Sequence, residues 1–269
     1  MQFRSKLPLI RQLAESSASA PRRPWLLLGH RGASGEAPEN TFAAFELALE
    51  QGADGIEFDV HLSSDGVPVV IHDARLERTT DGTGLVGAHS LPALRRLDAG
   101  SWFNRRFPAR AQAEYAGERI PTLDKTLEWV KQRRCRAFIE LKSGRHRYSG
   151  IEKKVLEAIR NSGTQALVTV ISFDIKTLGR LGRLDRAVEL GIDFTRPLAA
   201  VLRARGIGAR TLLPYWAFAS QRFILRAHRA GLGVIVWGLD QPRRVRRLVL
   251  NGVDGIVTNF PERLLEMRL

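Results

Sequence analysis

Short apolar runs alternate with polar or glycine-containing turns and with amphipathic segments along most of the chain. Strands that alternate with helices are typical of a parallel α/β protein, and eight parallel strands close a barrel. Eight runs have the character of buried strands: Leu26–Leu28, Gly55–Asp59, Ala137–Leu141, Leu167–Ile171, Ala187–Leu190, Thr211–Leu213, Val234–Trp237 and Gly255–Thr258. The pattern therefore predicts an α/β fold with the strand number of a barrel.

One interval, from Val60 to Pro121, breaks the alternation. It contains a hairpin signal at Asp65–Gly66 and a turn-rich stretch at Thr79–Gly84, without a long helical period. We interpret it as an insertion, about 60–121, after the second strand of a single domain spanning 25–269. Residues 1–24, which include an Ala/Ser-rich stretch, are expected to form a mobile N-terminal lead.

Helical spacing is clearest in two segments. Phe42, Phe45 and Leu49 recur at helical intervals between Thr41 and Gln51. Asn40 or Thr41 can cap the start of that helix, and Gly52 can end it. In Gln241–Leu250 the same spacing of Val245, Leu248 and Val249 turns four arginines away from the core, as in a solvated helix face.

Composition and charge bear on location and partners. The 269 residues include 42 Lys and Arg against 28 Asp and Glu, a formal net charge of 42 − 28 = +14, and 44% are apolar. We expect a soluble, cytoplasmic protein, since a single cysteine forms no disulfide framework and the apolar stretch Leu7–Ile10 is too short for a signal peptide. The charge favours weak contact with an anionic membrane surface, but no motif predicts a specific nucleic-acid partner. The oligomeric state is left open.

Three clusters of polar residues follow apolar strands. His30 and Arg31 end the first strand, and Glu39 in the same loop can orient the Arg31 guanidinium toward a phosphate. Glu57 and Asp59 share one face of the second strand. Two adjacent carboxylates repel, so we expect either a divalent cation between them, Mg²⁺ or Ca²⁺, or an exposed pair neutralised by arginines.

The third cluster is Glu140 and Lys142, which again share a strand face. They add a third carboxylate for the metal and an ammonium for a phosphate oxygen. If Asp65–Gly66 is a two-residue hairpin turn, Ser64 faces Val67, and the numbers of every facing pair sum to 131. This register places His72 opposite Asp59. His61 lies on the same strand face, and we expect it to act only through a neighbour.

Together with further motifs, these residues make the chain resemble the glycerophosphodiester phosphodiesterase family. The motifs run in order over nearly the whole chain: His30-Arg-Gly, Pro38-Glu-Asn-Thr41, Glu57-Phe-Asp-Val60, Asp65-Gly, His72-Asp73, Arg78-Thr-Thr80 with Gly82 and Gly84, Ile120-Pro-Thr-Leu123, Glu140-Leu-Lys142, Ser172-Phe173, Val236-Trp237, and Gly252-Val-Asp-Gly-Ile256 with Thr258 and Pro261. The resemblance implies a (β/α)₈ TIM barrel with a small insertion after the second strand. Relatives often have Thr in place of Gly238 and Asp in place of Asn259, which bears on the shape of the pocket.

The resemblance also implies roles for the site residues. Glu57, Asp59 and Glu140 look like ligands of one divalent cation, Mg²⁺ or Ca²⁺, with Mn²⁺ as a third option. His30 and His72 look like the acid/base pair. The sequence does not decide which of them is the base, or whether the glycerol hydroxyl or water attacks the phosphorus. Arg31 and Lys142 are expected to contact the phosphate, and Trp237 to lie beside the glycerol unless it is simply a core residue.

The function that follows is metal-dependent hydrolysis of a glycerophosphodiester to sn-glycerol 3-phosphate and an alcohol. Two alternatives stay open. One is a lysophospholipase D-like activity on acylated substrates, which an apolar groove beside Trp237 would favour. The other is a non-enzymatic protein that binds polyanions through its basic surface.

Overall fold

The computed structural model describes residues 23–142, 148–196 and 199–265. Its strands in these ranges are β1 (Leu26–His30), β2 (Gly55–Leu62), β3 (Pro68–Val70), β4 (Arg136–Leu141), β5 (Val168–Ser172), β6 (Glu189–Phe194), β7 (Thr211–Pro214), β8 (Gly233–Val236) and β9 (Gly255–Thr258). Its helices are α1 (Phe42–Glu50), α2 (Leu91–Leu94), α3 (Ser101–Arg106), α4 (Leu123–Arg133), α5 (Ile151–Ser162), α6 (Ile175–Leu184), α7 (Ala200–Ile207), α8 (Gln221–Arg229), α9 (Pro242–Leu250) and α10 (Glu262–Leu265).

The strands form one closed parallel barrel, which confirms the predicted TIM barrel. The sheet order is β1-β9-β8-β7-β6-β5-β4-β2-β3, and the additional pairing of β1 with β2 closes the ring. β3 runs antiparallel to β2 and lies outside that ring. All parallel strands end at the same rim, so side chains at their carboxyl ends converge there.

Strand alternation divides the apolar side chains into an inner and an outer core. Leu28, Phe138, Ile235 and Val257 belong to a cluster inside the barrel. Ile56 belongs instead to the larger cluster between the barrel and its helices. Because the inner cluster fills the lower barrel, the polar side chains of the inward faces are left at the carboxyl-terminal rim.

Both helices singled out from the sequence are present. Thr41 caps α1 through its hydroxyl, which accepts a hydrogen bond from the amide of Ala44 at 3.3 Å. In α9, Val245 and Leu248 are buried. The arginines of α9 are exposed, as the helical spacing predicts.

The sixth strand differs in its bounds from the predicted run. The pattern placed it at Ala187–Leu190, but β6 begins at Glu189 and continues to Phe194. Gly191 and Asp193 interrupt its apolar sequence. Leu190 and Ile192 pack outward, so the residues that alternate with them face the barrel interior, where Gly191 leaves space and Asp193 places a carboxyl group. Methyl groups of Leu213 and Ile171 would lie 2.7 and 3.0 Å from a Cβ at Gly191.

The hairpin register predicted from Asp65–Gly66 is wrong by one residue. In the structure Val60 pairs with Val70 and His61 with Val69, so facing numbers sum to 130, and the carbonyl of Asp59 accepts from the amide of Ile71 at 3.1 Å. Gly66 has φ +77°, and the loop has three residues, the form in which a turn is followed by a left-handed glycine. His72 therefore follows the residue opposite Asp59 instead of facing it.

The segment between β3 and α4 carries two small apolar clusters of its own. One contains Val69, Leu76, Val86 and Leu94. The other packs Phe103 of α3 against Ala44 of α1. These contacts hold the segment over the side of the barrel mouth nearest β1.

At the N-terminal side, Arg23 donates to the carbonyl of Gly52 at 2.9 Å and lies 3.1 Å from the Asp54 carboxylate. Residues 1–22, most of the predicted lead, lie outside the described residues. No helix in the described ranges has the length and apolar character needed to span a bilayer.

Candidate active site

The carboxylates predicted from strand alternation meet at the carboxyl-terminal rim of the barrel. Register pairs His30 with Glu57, and Asp59 with Glu140, across neighbouring strands. One oxygen from each of Glu57, Asp59 and Glu140 lies within 4.8 Å of the others. Asp59 is completely buried and the other two nearly so. Three hard oxygen donors at this spacing can hold a divalent metal ion.

Two cations lie against this cluster. The Lys142 ammonium is 2.8 Å from Asp59 Oδ1 and 2.7 Å from Glu140 Oε2. The Nε of Arg31 lies 3.2 Å from Asp59 Oδ2. Lys142 and Arg31, expected from the sequence near phosphate, thus reach the same carboxylates that the metal would use.

The ionisation of the three carboxyl groups reflects their crowding. Burial, followed by repulsion from Asp59 and Glu140, raises the pKa of Glu57 well above its usual value. Burial also raises the pKa of Glu140, to about 7. Burial alone would raise the pKa of Asp59 as well, but Lys142 and Arg31 outweigh it and hold that pKa well below normal. A cluster with this excess of negative charge fits a bound cation.

Asn40 anchors the central carboxylate. Its amide nitrogen donates to Asp59 Oδ2 at 2.8 Å, and the Asp59 amide donates back to Asn40 Oδ1 at 3.3 Å. Asn40 has φ +59° and Arg31 has φ +57°, so two non-glycine residues of one loop adopt the left-handed conformation. The backbone amide of Asn40 donates to the Arg31 carbonyl at 3.0 Å, which joins the two positions.

The protonation state of His30 is set by residues at the end of β9. Asn259 donates through its amide nitrogen to Asp240 at 2.8 Å, so its oxygen faces His30 Nδ1 at 2.7 Å. Because an amide oxygen only accepts, Nδ1 carries the proton and Nε2 is left with a lone pair. Burial, and after it the neighbouring Arg31, lowers the pKa of His30 to about 4, which keeps the ring neutral at pH 7.

His72 is held by a carboxylate instead. Its Nδ1 lies 2.6 Å from Asp73 Oδ1, and Arg78 Nε donates to the other oxygen of Asp73 at 2.5 Å. Although burial favours the neutral acid, the hydrogen bonds from Arg78 and His72 lower the pKa of Asp73 to about 2. The pKa of His72 is lowered, chiefly by burial and also by the charges of Lys142 and Arg31, while the charge of Asp59 and the hydrogen bond to Asp73 oppose that shift.

His61 supports His72 from behind. Its Nε2 donates to the backbone carbonyl of His72 at 2.9 Å, and its Nδ1 accepts from the Tyr148 hydroxyl at 2.8 Å. This tautomer follows because a carbonyl oxygen cannot donate. His61 therefore contacts the backbone that carries His72.

Glu39 ties Arg31 to the segment that follows β3. One Glu39 oxygen lies 2.9 Å from Arg31 Nη1, and Arg78 donates to both Glu39 oxygens at 2.7 Å. The side chain of Glu39 is largely buried. It orients two guanidinium groups and is itself charge-neutralised by them.

The apolar side of the mouth is aromatic. A cavity of about 180 Å³ is lined by His30 and His72, by Glu57 and Glu140 of the carboxylate cluster, and by Trp237. The indole of Trp237 donates to the carbonyl of Leu213 at 2.9 Å and meets the ring of Phe173 edge-on at 5.7 Å. Phe173 is 49% exposed, so the aromatic wall continues out of the cavity.

Gly238 is required by this wall. It has φ +79°, and a Cβ added there would lie 2.6 Å from the ring of Tyr215, which packs on Trp237 with its ring centre at 5.2 Å. Threonine at this position would be strained by the backbone conformation and would displace the tyrosine.

Several site residues escaped the sequence reasoning. Asp193 is buried on the same cavity wall, and burial together with the charge of Glu140 raises its pKa well above normal. From the sequence, Asn40 is part of a family motif and a candidate helix cap without an assigned role in the site; in the structure Thr41 caps the helix and Asn40 donates to Asp59. The signal available for Asp193 was its interruption of an apolar strand. Asn40 and Asn259 stand out only through the family resemblance, which does not indicate their contacts with Asp59 and His30.

Comparisons with known proteins agree with this geometry. The model of the glycerophosphoryl diester phosphodiesterase family matches residues 30–263. A glycerophosphodiester phosphodiesterase of Caldanaerobacter subterraneus is 36% identical over 246 residues, covering 90% of this chain and 97% of the relative.

Two solved structures are also similar. A phosphodiesterase of Oleispira antarctica, solved in complex with the product sn-glycerol-3-phosphate, superposes with a TM-score of 0.78 at 30% identity, over 89% of this chain and 95% of the other. The glycerophosphodiester phosphodiesterase of Agrobacterium tumefaciens gives a TM-score of 0.77 at 34% identity, over 90% of this chain and 100% of the other. Matched in sequence over nine-tenths of its length and in fold throughout the barrel, the chain belongs to the glycerophosphoryl diester phosphodiesterase family.

Proposed function

We propose that this protein hydrolyses glycerophosphodiesters to sn-glycerol 3-phosphate and a free alcohol. The observation that carries the proposal is the convergence of three carboxylates, two fixed cations and two histidines around one cavity at the barrel rim. Each histidine is held through Nδ1, by Asn259 or by Asp73, which leaves Nε2 of both rings for substrate.

The charge balance of the site supports one divalent cation held by Glu57, Asp59 and Glu140. Once all three carboxylates are ionised, as metal coordination requires, Arg31 and Lys142 offset only two of the three negative charges, and the one that remains would repel a phosphodiester monoanion. A cation of charge +2 changes that balance to one net positive charge. When bound, it stabilises the negative charge that develops on the phosphoryl oxygens. The all-oxygen donor set favours Mg²⁺ or Ca²⁺, with Mn²⁺ as a further candidate.

We assign phosphate binding to Arg31 and Lys142, which frame the carboxylate cluster. Glu39 orients the Arg31 guanidinium at 2.9 Å, so its remaining N–H groups are directed before substrate arrives. Preorganised donors of this kind stabilise charge without reorganisation in the transition state. Trp237 and Phe173 then form the apolar wall beside the glycerol moiety.

The two histidines divide the proton transfers. His30 is neutral and backed by an amide, so its Nε2 accepts the proton of the attacking hydroxyl. His72 is backed by the Asp73 carboxylate, which stabilises its imidazolium, so its Nε2 donates a proton to the alkoxide as the P–O bond breaks. The attacking oxygen belongs either to the adjacent glycerol hydroxyl, through a cyclic phosphate, or to water. Either route consumes one water per diester overall.

Activity assays on metal-free protein test this proposal. Glycerol 3-phosphate release from glycerophosphocholine is expected to be absent after chelation and to return when Mg²⁺, Ca²⁺ or Mn²⁺ is added. Glu57→Gln should lower that rate by more than about 100-fold, because even residues that only support metal ligands give losses of 10–100-fold. Glu157→Gln removes the same charge from an exposed position of α5 and should have the wild-type rate.

An acylated substrate is the second candidate. Phe173 extends the aromatic wall into solvent beside Trp237, where an acyl chain on the glycerol would contact it. Rates on lysophosphatidylcholine and glycerophosphocholine separate the two candidates. A faster reaction with the acylated lipid would assign a lysophospholipase D-like activity to the site.

The remaining proposals concern location and surface. We place the protein in the cytoplasm, where its buried free thiol at Cys135 would stay reduced. Its net charge of +14 would attract anionic diesters and weakly contact anionic membranes. Both effects should weaken as ionic strength rises.

A further inference from the structure

A second, larger cavity adjoins the proposed catalytic one. It has a volume of about 730 Å³ and lies between α3, the loop after β1 and the residues that follow β9. His30 and Arg31 line both cavities. A diester whose phosphorus lies at these two residues would therefore have its glycerol on one side and its leaving alcohol in the larger cavity.

The larger cavity is strongly basic. Arg78 is neutralised by Glu39 and Asp73. By contrast, Arg105, Arg106 and Arg110 line the same cavity and form no ion pair with any carboxylate in the part of the chain that the structure describes. The two carboxylates that line this cavity are already paired, Glu39 with Arg31 and Arg78, and Glu77 with Arg75. The three guanidinium groups therefore create a local attraction for anions.

Aromatic rings position two of these three cations without neutralising them. The guanidinium carbon of Arg106 lies 5.3 Å from the ring centre of Phe107. That of Arg110 lies 5.8 Å from the same ring and 5.4 Å from Phe260, while its Nη1 donates to the carbonyl of Gly35 at 2.6 Å. A guanidinium stacked on an aromatic face keeps most of its in-plane N–H groups for another acceptor.

We propose that this cavity is a leaving-group subsite for alcohols that carry a second phosphate. Arg105 and Arg106 bind the terminal phosphate monoester, and Arg110 fixes the wall beside it. This inference rests on the proposed glycerophosphodiesterase function and adds a preference, among the diesters that the site hydrolyses, for those with a polyanionic leaving alcohol. A cationic head group such as choline would be repelled by the same three arginines.

The concave shape and the volume of the cavity favour a phosphorylated alcohol over a membrane surface, which would need only a flat basic patch. A phosphorylated polyol fills a concave site of several hundred Å³ and meets donors from more than one direction. Binding of a vesicle through these arginines is the competing outcome that the experiment must separate.

The test compares two substrates that differ by one phosphate monoester, glycerophosphoinositol and glycerophosphoinositol 4-phosphate. Wild-type protein should have a KM about tenfold lower for the phosphorylated substrate, from one or two charge-assisted hydrogen bonds at a partly solvated site. Arg105→Ala/Arg106→Ala should lose this preference, and Arg105→Lys/Arg106→Lys should restore part of it. The control Arg246→Ala/Arg247→Ala removes the same charge from the exposed face of α9 and should keep the full preference.

Calorimetric titration of metal-free protein with both inositol compounds measures the same preference when neither is hydrolysed. Absence of hydrolysis would overturn the proposed function, and the titration would still decide the subsite. Equal KM and equal affinity for the two compounds in the wild type would refute the inference. So would a preference that survives Arg105→Ala/Arg106→Ala, particularly if that variant loses binding to phosphatidylglycerol vesicles.

Discussion

Replacing Asn40 tests how the loop after β1 supports the carboxylate cluster. Asn40 donates to Asp59 and occupies the left-handed region at φ +59°. Two substitutions separate these features. Asn40→Gly keeps the backbone conformation and removes the hydrogen bond, whereas Asn40→Ala removes the hydrogen bond and also strains the backbone.

The expected magnitudes follow from the burial of this pair. Asn40 and Asp59 are 3% and 0% exposed, so water cannot replace the lost donor. A hydrogen bond to a charged group contributes about 1.5–3 kcal/mol, so Asn40→Gly should lower the free energy of unfolding by about 2 kcal/mol. Alanine in the left-handed region adds about 1 kcal/mol, which gives about 3 kcal/mol for Asn40→Ala.

Equilibrium urea unfolding of metal-free protein measures both values. Calorimetric titration with Mg²⁺ supplies a second readout, since loss of a residue that orients a metal ligand weakens metal binding by about 10–100-fold. Equal stability of the two variants would show that the left-handed conformation carries no strain. Wild-type stability in both would refute the account of Asn40 altogether.

Three further outcomes are expected. His72→Ala should slow the release of choline by about 10²- to 10⁴-fold but barely affect a nitrophenyl diester, because a nitrophenolate leaves without a proton. His30→Ala should slow hydrolysis of both substrates. An equal loss of rate on both substrates in His72→Ala would contradict the assignment of acid and base. Gly238→Ala should lower the free energy of unfolding, measured by urea unfolding, by about 2 kcal/mol and should raise KM, because the new methyl group displaces Tyr215. An unchanged KM would show that the aromatic wall does not contact the substrate. Mg²⁺ at 100 times its Kd should stabilise the wild type by about 2.7 kcal/mol in the same assay and should hardly stabilise Glu57→Gln. Equal stabilisation of the two proteins would show that the ion binds elsewhere.

The barrel and its carboxylate cluster are predictable because they follow from local periodicity. Strand alternation places Glu57 and Asp59 on one face, and parallel strands bring Glu140 to the same rim. The helices α1 and α9 likewise show their buried faces in the spacing of apolar residues. These inferences need only the period of the element and the direction of the strands.

The failures come from contacts that periodicity does not encode. The hairpin register depends on the length of its loop. An Asp-Gly pair fits a two-residue turn as well as the three-residue loop that is found, in which Gly66 takes the left-handed position. His30 is held by Asn259, which is 229 residues away in sequence. Helix α3 has only six residues and shows no helical period in the sequence, so the sequence does not indicate where Arg105 and Arg106 face. The basic cavity that they line follows from the packing of α3 against α1.

Phosphorus NMR of glycerophosphocholine incubated with the protein and Mg²⁺ tests the central claim most directly. The account predicts that the diester resonance is replaced by the monoester resonance of sn-glycerol 3-phosphate, with free choline in equal amount. It also predicts no change in the spectrum without the metal or with Glu57→Gln. Formation of phosphocholine and glycerol, or release of glycerol 3-phosphate by metal-free protein, would contradict it.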